Sequence, residues 1–225
     1  MARHEIPLET YPRREHFRYF RTMAQPYAGL TVPVDITAFL ACQRERRLPF
    51  FLSLLYCVSR AANAVPELRQ RIDEDGKIYE YDWCPSSHTE GLGDGTYCYC
   101  ALRSDMPLAE YLPYAQETSA RARARGDLME DEEAALSCLY ISSLPWLSYE
   151  AIIQPTPIPA DTHPRINWGR LRQEGDRVVL PVSLLCNHAL ADGLHIARFY
   201  AALEEELARF VRTAQAPDFP TPAPR

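Results

Sequence analysis

"RVVLPVSLLCNHALADGLHIARF", Arg177 to Phe199, is the stretch on which the fold turns. Its first ten residues form a near-continuous apolar run, the pattern of a central strand buried on both faces. Pro181 interrupts that pattern and predicts a bulge or a strand partly on an edge, because proline cannot donate to a ladder. Asn187 and His188 end the run, so the strand delivers an imidazole to the sheet edge, where loops and ligands meet. Asp192-Gly193 then makes a tight turn into a helix whose predicted apolar stripe is Ala197, Tyr200, Leu203, Leu207 and Phe210.

Working outward, "PFFLSLLYCVSRAANAV" (Pro49–Val65) is apolar almost all round and predicts a buried helix ended before Pro66. "YPRREHFRYFR" (Tyr11–Arg21) predicts a short amphipathic helix entered through Pro12. "LTVPVDITAF" (Leu30–Phe39) is β-rich, with Asp35 as N-cap of a following helix. "KIYEYDW" (Lys77–Trp83) alternates like a strand, and "HTEGLGDGTYCYCAL" (His88–Leu102) reads as a Gly-rich loop leading into one. The latter is not a phosphate cradle, since no helix follows its glycines. "ALSCLYISSLPWLSYEAI" (Ala135–Ile152) predicts strand, kink at Pro145, strand. "PTPIPADTHP" (Pro155–Pro164) is irregular, and "SARARARGDLMEDEEA" (Ser119–Ala134) reads as a solvated helix end and loop. No internal repeat is present. The sum is mixed α/β in one domain over residues 1–212, with residues 213–225 a Pro-rich tail expected to be disordered.

The bulk properties narrow the function. The chain has 225 residues, 47% of them hydrophobic, enough for a sizeable core. Its net charge of −6 argues against nucleic-acid and anionic-membrane partners, which call for a basic face. The N-terminal stretch lacks the apolar core of a signal peptide, and no run of about 18 apolar residues predicts a membrane span. Seven cysteines without C-x-x-C spacing predict buried free thiols in a reducing cytoplasm. No Cys or His pairs fall at structural-zinc spacing, so no metal is expected.

Near neutrality an imidazole can take a proton from a hydroxyl and return it, which makes His188 a candidate general base. Read locally, it could equally be a hydrogen-bonded structural histidine, and Asp192 a plain helix N-cap. H-x-x-x-D-G alone does not decide between these. The whole set of blocks does: "RREHFRYF", "VDITAF", "AANAVPELRQRI", "SSLPWLSYEAI" and "QEGDRVVLPVSLLCNHALADGLHIARF" resemble, in order and spacing, those of the chloramphenicol acetyltransferase family of the CatA type. The resemblance spans about residues 8 to 211.

That resemblance implies a coenzyme A-dependent acyltransferase fold: a two-layer α/β sandwich with a large mixed sheet and an active site between subunits of a homotrimer. It implies acetyl-CoA as co-substrate, a small-molecule hydroxyl acceptor and no metal. His188 would be the base, and Ser148 would donate to the tetrahedral oxyanion, a type of contact typically worth about 3 kcal/mol of barrier. Asp192 would pair with Arg13 to hold the loop of the base. Taken alone, Ser148 could be a strand-end serine and Arg13 a solvated charge.

Several positions depart from the family pattern. Asn187 stands where a histidine is usual, and Pro26 replaces a cysteine. Asn167 falls where antibiotic-acetylating members carry threonine, and Arg165 where they carry an apolar residue. Tyr19, Phe20, Tyr27 and Tyr97 complete the expected substrate-binding set, with Tyr97 matched across a gap. An arginine and an asparagine beside the cavity would favour a more polar acceptor, unless Arg165 points to solvent. The expected activity is acetylation of a hydroxyl of chloramphenicol or a similar molecule. The alternatives are an O-acetyltransferase for another hydroxyl acceptor, an acyltransferase of the dihydrolipoamide type, and a non-catalytic drug-binding trimer.

Overall fold

The computed structural model describes residues 2–126 and 135–220. Ten strands and five helices are present among them. A small sheet near the N-terminus joins β1 (Arg3–Ile6), β4 (Ile78–Tyr81) and β3 (Gln70–Ile72), all antiparallel. The large sheet runs β2 (Tyr27–Asp35), β10 (Arg177–Asn187), β8 (Arg165–Gly169), β7 (Leu139–Leu144), β5 (Ser86–Gly91), β6 (Tyr97–Leu102), with the short β9 (Arg172–Glu174) also paired to β10. It is mixed: β7 runs parallel to both β5 and β8, while the other pairs are antiparallel.

Strand β10 is interior, flanked by β2 along its length and by β9 and β8 on the other side. The apolar run of the sequence therefore reports its position correctly. The expected bulge at Pro181 does not form, and the strand is no edge. Pairing with β2 continues without a slip from Val179 to Asn187, with Pro181 opposite Pro33. On the other side Pro181 falls in the gap between β9, which pairs as far as Val179, and β8, which starts at Val182. Two residues without N–H groups thus face each other where the ladder asks neither to donate.

One sheet face is covered by helices. α2 (Thr37–Glu45), α3 (Phe50–Asn63), α4 (Leu108–Arg125) and α5 (Gly193–Ala214) contribute to a single core with Ile141, Ile166, Trp168, Val182 and Leu184 from the strands. The predicted buried helix is α3, with eleven of its fourteen residues buried. The stripe of α5 is Ile196, Phe199, Leu203, Leu207 and Phe210, not the set beginning at Ala197; that alanine is exposed and Tyr200 half-buried. Each fully buried Phe or Leu there contributes roughly 1.5–3 kcal/mol by leaving water. The helix continues to Ala214, and Phe219 is buried in the same core, so ordered structure reaches past residue 212 into the expected tail. Of the charged stretch, residues 127–134 lie outside the described residues, as do 221–225.

The other sheet face carries no helix among the described residues. It displays Arg165, Asn167 and Gly169 of β8 beside Tyr140, Ser142 and Leu144 of β7, since alternate residues of a strand point to opposite faces. The strand expected after Pro145 does not form. Instead the chain crosses the open face: the Arg170 N–H donates to the Leu147 carbonyl (2.7 Å) and Ser183 donates to the Tyr149 hydroxyl (3.4 Å). Gly169 permits this crossing, because a Cβ there would meet the Leu147 carbonyl oxygen at 2.6 Å. The expected Gly-rich loop is partly strand: β5 and β6 form a hairpin, and Gly93 and Gly95 in its turn have φ of 85° and 90°. All seven cysteines are free and buried. No helix among the described residues is long and apolar enough to cross a membrane.

Candidate active site

His188 sits in the turn immediately after β10, and a set of contacts holds that turn. Its backbone N–H donates to the Pro26 carbonyl (2.7 Å). Its ring lies flat on Phe20 of α1 (Arg14–Phe20), centroids 3.9 Å apart and planes 9° apart. Asn187 accepts from the Ala189 N–H (3.0 Å) and donates to the Asp161 carbonyl (2.9 Å). Arg13 donates to the His188 carbonyl (3.4 Å) while pairing with Asp192. The His188 Nδ1 is buried and has no partner among the described residues. Were this half-buried ring to exchange a proton with a ligand, Nε2 would be the nitrogen to do so.

Asp192 satisfies both of its readings at once. As N-cap of α5 it accepts from the Leu194 N–H (3.0 Å), and His195 Nδ1 accepts from its own N–H (3.1 Å), closing a capping box. Its other oxygen receives Arg13. Burial alone would raise this carboxyl, but the hydrogen bond and charge of Arg13, then Leu194 and His195, outweigh it and hold the carboxyl at about 2. Asp192 is thus an anion throughout the physiological range.

A cavity of about 960 Å³ opens on the helix-free face, lined by β5, β6, β7, β8 and the chain after Pro145. Arg165, Asn167, Ser142 and Tyr97 line it. Arg165 does not point to solvent: it is 8% exposed and forms a bidentate pair with Asp161 (2.8 and 2.7 Å). Tyr27 pairs with the same carboxylate (3.2 Å) and accepts from the Asp161 N–H (3.0 Å). Burial, then the Asp161 charge, push its phenol up to about 12, so it serves as a neutral donor and not as a base. Tyr19 is 64% exposed and packs edge-on against Phe20, outside the cavity lining.

The candidate residues fall into two groups. Phe20, Arg13 and Asp192 gather around His188, with Tyr27 next to them across β2. Arg165, Asn167 and Tyr97 gather in the cavity. Ser148 joins neither: it is exposed, in the irregular chain beyond Pro145, and is absent from the cavity lining. Of the serines that do line the cavity, Ser87, Ser142 and Ser143, Ser142 is paired in register with Asn167, which in turn is opposite Ser183 of β10. From Ser183 to His188 is five residues of chain, roughly 17 Å at about 3.3 Å per residue. Ser148 neighbours Leu147 and Tyr149, which pack at Gly169 near Pro181, farther still from His188. Within one chain, no serine of either pair meets the imidazole. The signal for Ser142 was available in the alternation of β7, which aims Tyr140, Ser142 and Leu144 to the open face.

A two-layer sandwich with one helix-free sheet face and a histidine at the end of its central strand defines a protein of the coenzyme A-dependent acyltransferase fold. A probable dihydrolipoamide acetyltransferase from Listeria monocytogenes shares this fold, with a TM-score of 0.66 at 16% identity over 95% of this chain and 97% of its own. The similarity to another group goes further. A family model described as chloramphenicol acetyltransferase matches residues 1–204, and the chain belongs to that acetyltransferase family. Chloramphenicol acetyltransferase 2 of Escherichia coli is 32% identical over 200 residues, 88% of this chain and 94% of the relative. A chloramphenicol acetyltransferase of Streptomyces acrimycini is 26% identical over 205 residues, 90% and 93% of the two chains. A solved chloramphenicol acetyltransferase superposes with a TM-score of 0.86 at 26% identity, over 92% of this chain and 100% of that one.

Proposed function

We propose that this protein transfers the acetyl group of acetyl-CoA to a hydroxyl of chloramphenicol or a similar small molecule, in a site shared between copies of the chain in a homotrimer. The observation that carries this reading, beside the family, is the held imidazole: one face stacked on Phe20, Nδ1 sealed, Nε2 left for the acceptor. Nε2 takes the proton of the acceptor hydroxyl as its oxygen attacks the thioester carbonyl. The resulting tetrahedral oxyanion needs a preorganised donor, and collapse expels the coenzyme A thiolate, which receives the proton back.

The donor we assign to Ser142 in place of Ser148, because Ser142 lines the cavity beside Asn167 and Ser148 does not. Donor and base must approach within about 3 Å of the same reacting centre. The separation along one sheet forbids that within a chain, which supports a site completed by the His188 of a second copy. Exposed Trp146, Leu147, Ile153 and Ile158 (58–99% accessible) give that copy an apolar surface to cover. Seven cysteines with no disulfide among them fit a cytoplasmic location.

The test is thiol release from acetyl-CoA in the presence of chloramphenicol. Release is expected with the native protein and abolished by His188→Ala; release unchanged in that variant would defeat the assignment. A second reading, another hydroxyl acceptor, is favoured by Arg165 and Asn167 in the cavity wall, and a panel of hydroxyl compounds in the same assay separates the two.

A further inference from the structure

The Asp161–Arg165 pair lies at the junction between the cavity and the turn that carries His188. Arg165 uses three of its five N–H groups internally: two on the Asp161 carboxylate (2.8 and 2.7 Å) and one on the His163 carbonyl (3.1 Å). Its guanidinium stands between the Tyr27 and Tyr140 rings, 5.9 and 5.6 Å from their centroids. The Nε–H and one Nη2–H remain, on a side chain that lines the cavity. The wall is therefore rich in donors yet carries no net charge. A carboxylate entering it meets an Arg165 whose charge Asp161 already offsets from outside the lining, and a cation meets Arg165 first. A neutral oxygen gains a donor without repulsion.

Resting on the acetyl-transfer reading for the identity of the cavity, we propose that Asp161 is the specificity determinant that restricts the acceptor to uncharged hydroxyl compounds bearing a hydrogen-bond-accepting oxygen, by neutralising Arg165 in the cavity wall. The same residue ties this wall to the base: its backbone carbonyl accepts from Asn187 Nδ2 (2.9 Å). Asp161→Asn removes the charge and keeps that carbonyl, so the two roles are separable.

Benzoate, benzamide and benzamidine share one shape and differ in charge, and their binding is read by calorimetry without turnover. The native protein is expected to bind benzamide in preference to either ion. Asp161→Asn should shift the benzoate-to-benzamide affinity ratio at least tenfold toward benzoate. The double variant Asp161→Asn, Arg165→Met should return it to the native value. Arg165→Met alone, which leaves Asp161 without its counter-charge, should shift preference at least tenfold toward benzamidine; this arm decides the matter should Asp161→Asn fail to fold. Ratios within twofold of native in the single variants, or no binding of any probe to any of the proteins, overturn the proposal. Absent thiol release with intact charge selectivity would sink the acetyl-transfer reading and with it the acceptor role, while the Asp161–Arg165 pair would stand as the source of ligand charge selectivity in the cavity.

Discussion

Phe20 lies against the face of His188 with ring planes 9° apart, so the orientation of the candidate base is set by an aromatic plate from α1 and not by its own strand alone. A flat contact of this kind restricts the imidazole to rotation in its plane, and the backbone bond to Pro26 fixes the pivot. Phe20→Ala should lower kcat about tenfold to a hundredfold by loosening near-attack geometry, with a smaller change in the KM for acetyl-CoA. Steady-state kinetics in both substrates check this; a change confined to KM would contradict it.

Ser142→Ala should lower kcat by about 10²–10³, the usual cost of one lost oxyanion donor. Ser148→Ala should change it by less than about threefold, because that hydroxyl is exposed and outside the cavity. Parallel kinetics on the two variants tell them apart, and the reverse order of effects would restore Ser148 to the role.

The Asp192 carboxyl is held at about 2, below its ordinary 3.8, chiefly by Arg13 acting against burial. Its contribution to stability is thus complete above about pH 4 and lost as pH falls through about 2. Asp192→Asn keeps a capping oxygen but loses the charge, and should cost roughly 1–3 kcal/mol at neutral pH. Denaturant titrations from pH 2 to 7 should show the gap between native and variant closing toward the acid end.

His163 acts in the same sense over a higher range of pH. Burial, then the Arg71 charge, lower it to about 4 from 6.5, partly offset by its bond to the Cys138 carbonyl (3.1 Å). Between these values the unfolded chain binds a proton that the folded chain refuses, so stability should rise from about pH 4 to 6.5 and then level off. His163→Phe, which can keep the stack on Tyr140 (4.5 Å between centroids), should flatten that slope in the same titrations.

Much of this arrangement is legible in the amino-acid order. An apolar run such as Arg177–Cys186 can be satisfied only with cover on both faces, so its central place follows from its composition. Asp192 and Arg13 were legible as a pair through the family resemblance. Other features depend on contacts distant in sequence. Nothing local to Pro181 says that another proline will face it across the ladder. The alternation of "ALSCLYISS" marks a strand but not its end, and Ser148 was placed on an extension that does not exist. Arg165 reads as an isolated cation until the irregular chain delivers Asp161 to it. The α5 stripe differs at its start because Ala197 and Ile196 are both apolar, and only packing against α3 and β2 chooses between them.

The length of β10 has a consequence for how this protein behaves in solution. If His188 is the proton acceptor and Ser142 the hydroxyl donor, as proposed, they stand on different strands and roughly 17 Å apart along the sheet, so a lone polypeptide owns both halves of the chemistry but cannot bring them together. Turnover per chain should then fall on dilution below the dissociation constant of the copies. A mixture of inactive His188→Ala and Ser142→Ala chains should regain part of the native rate once subunits exchange.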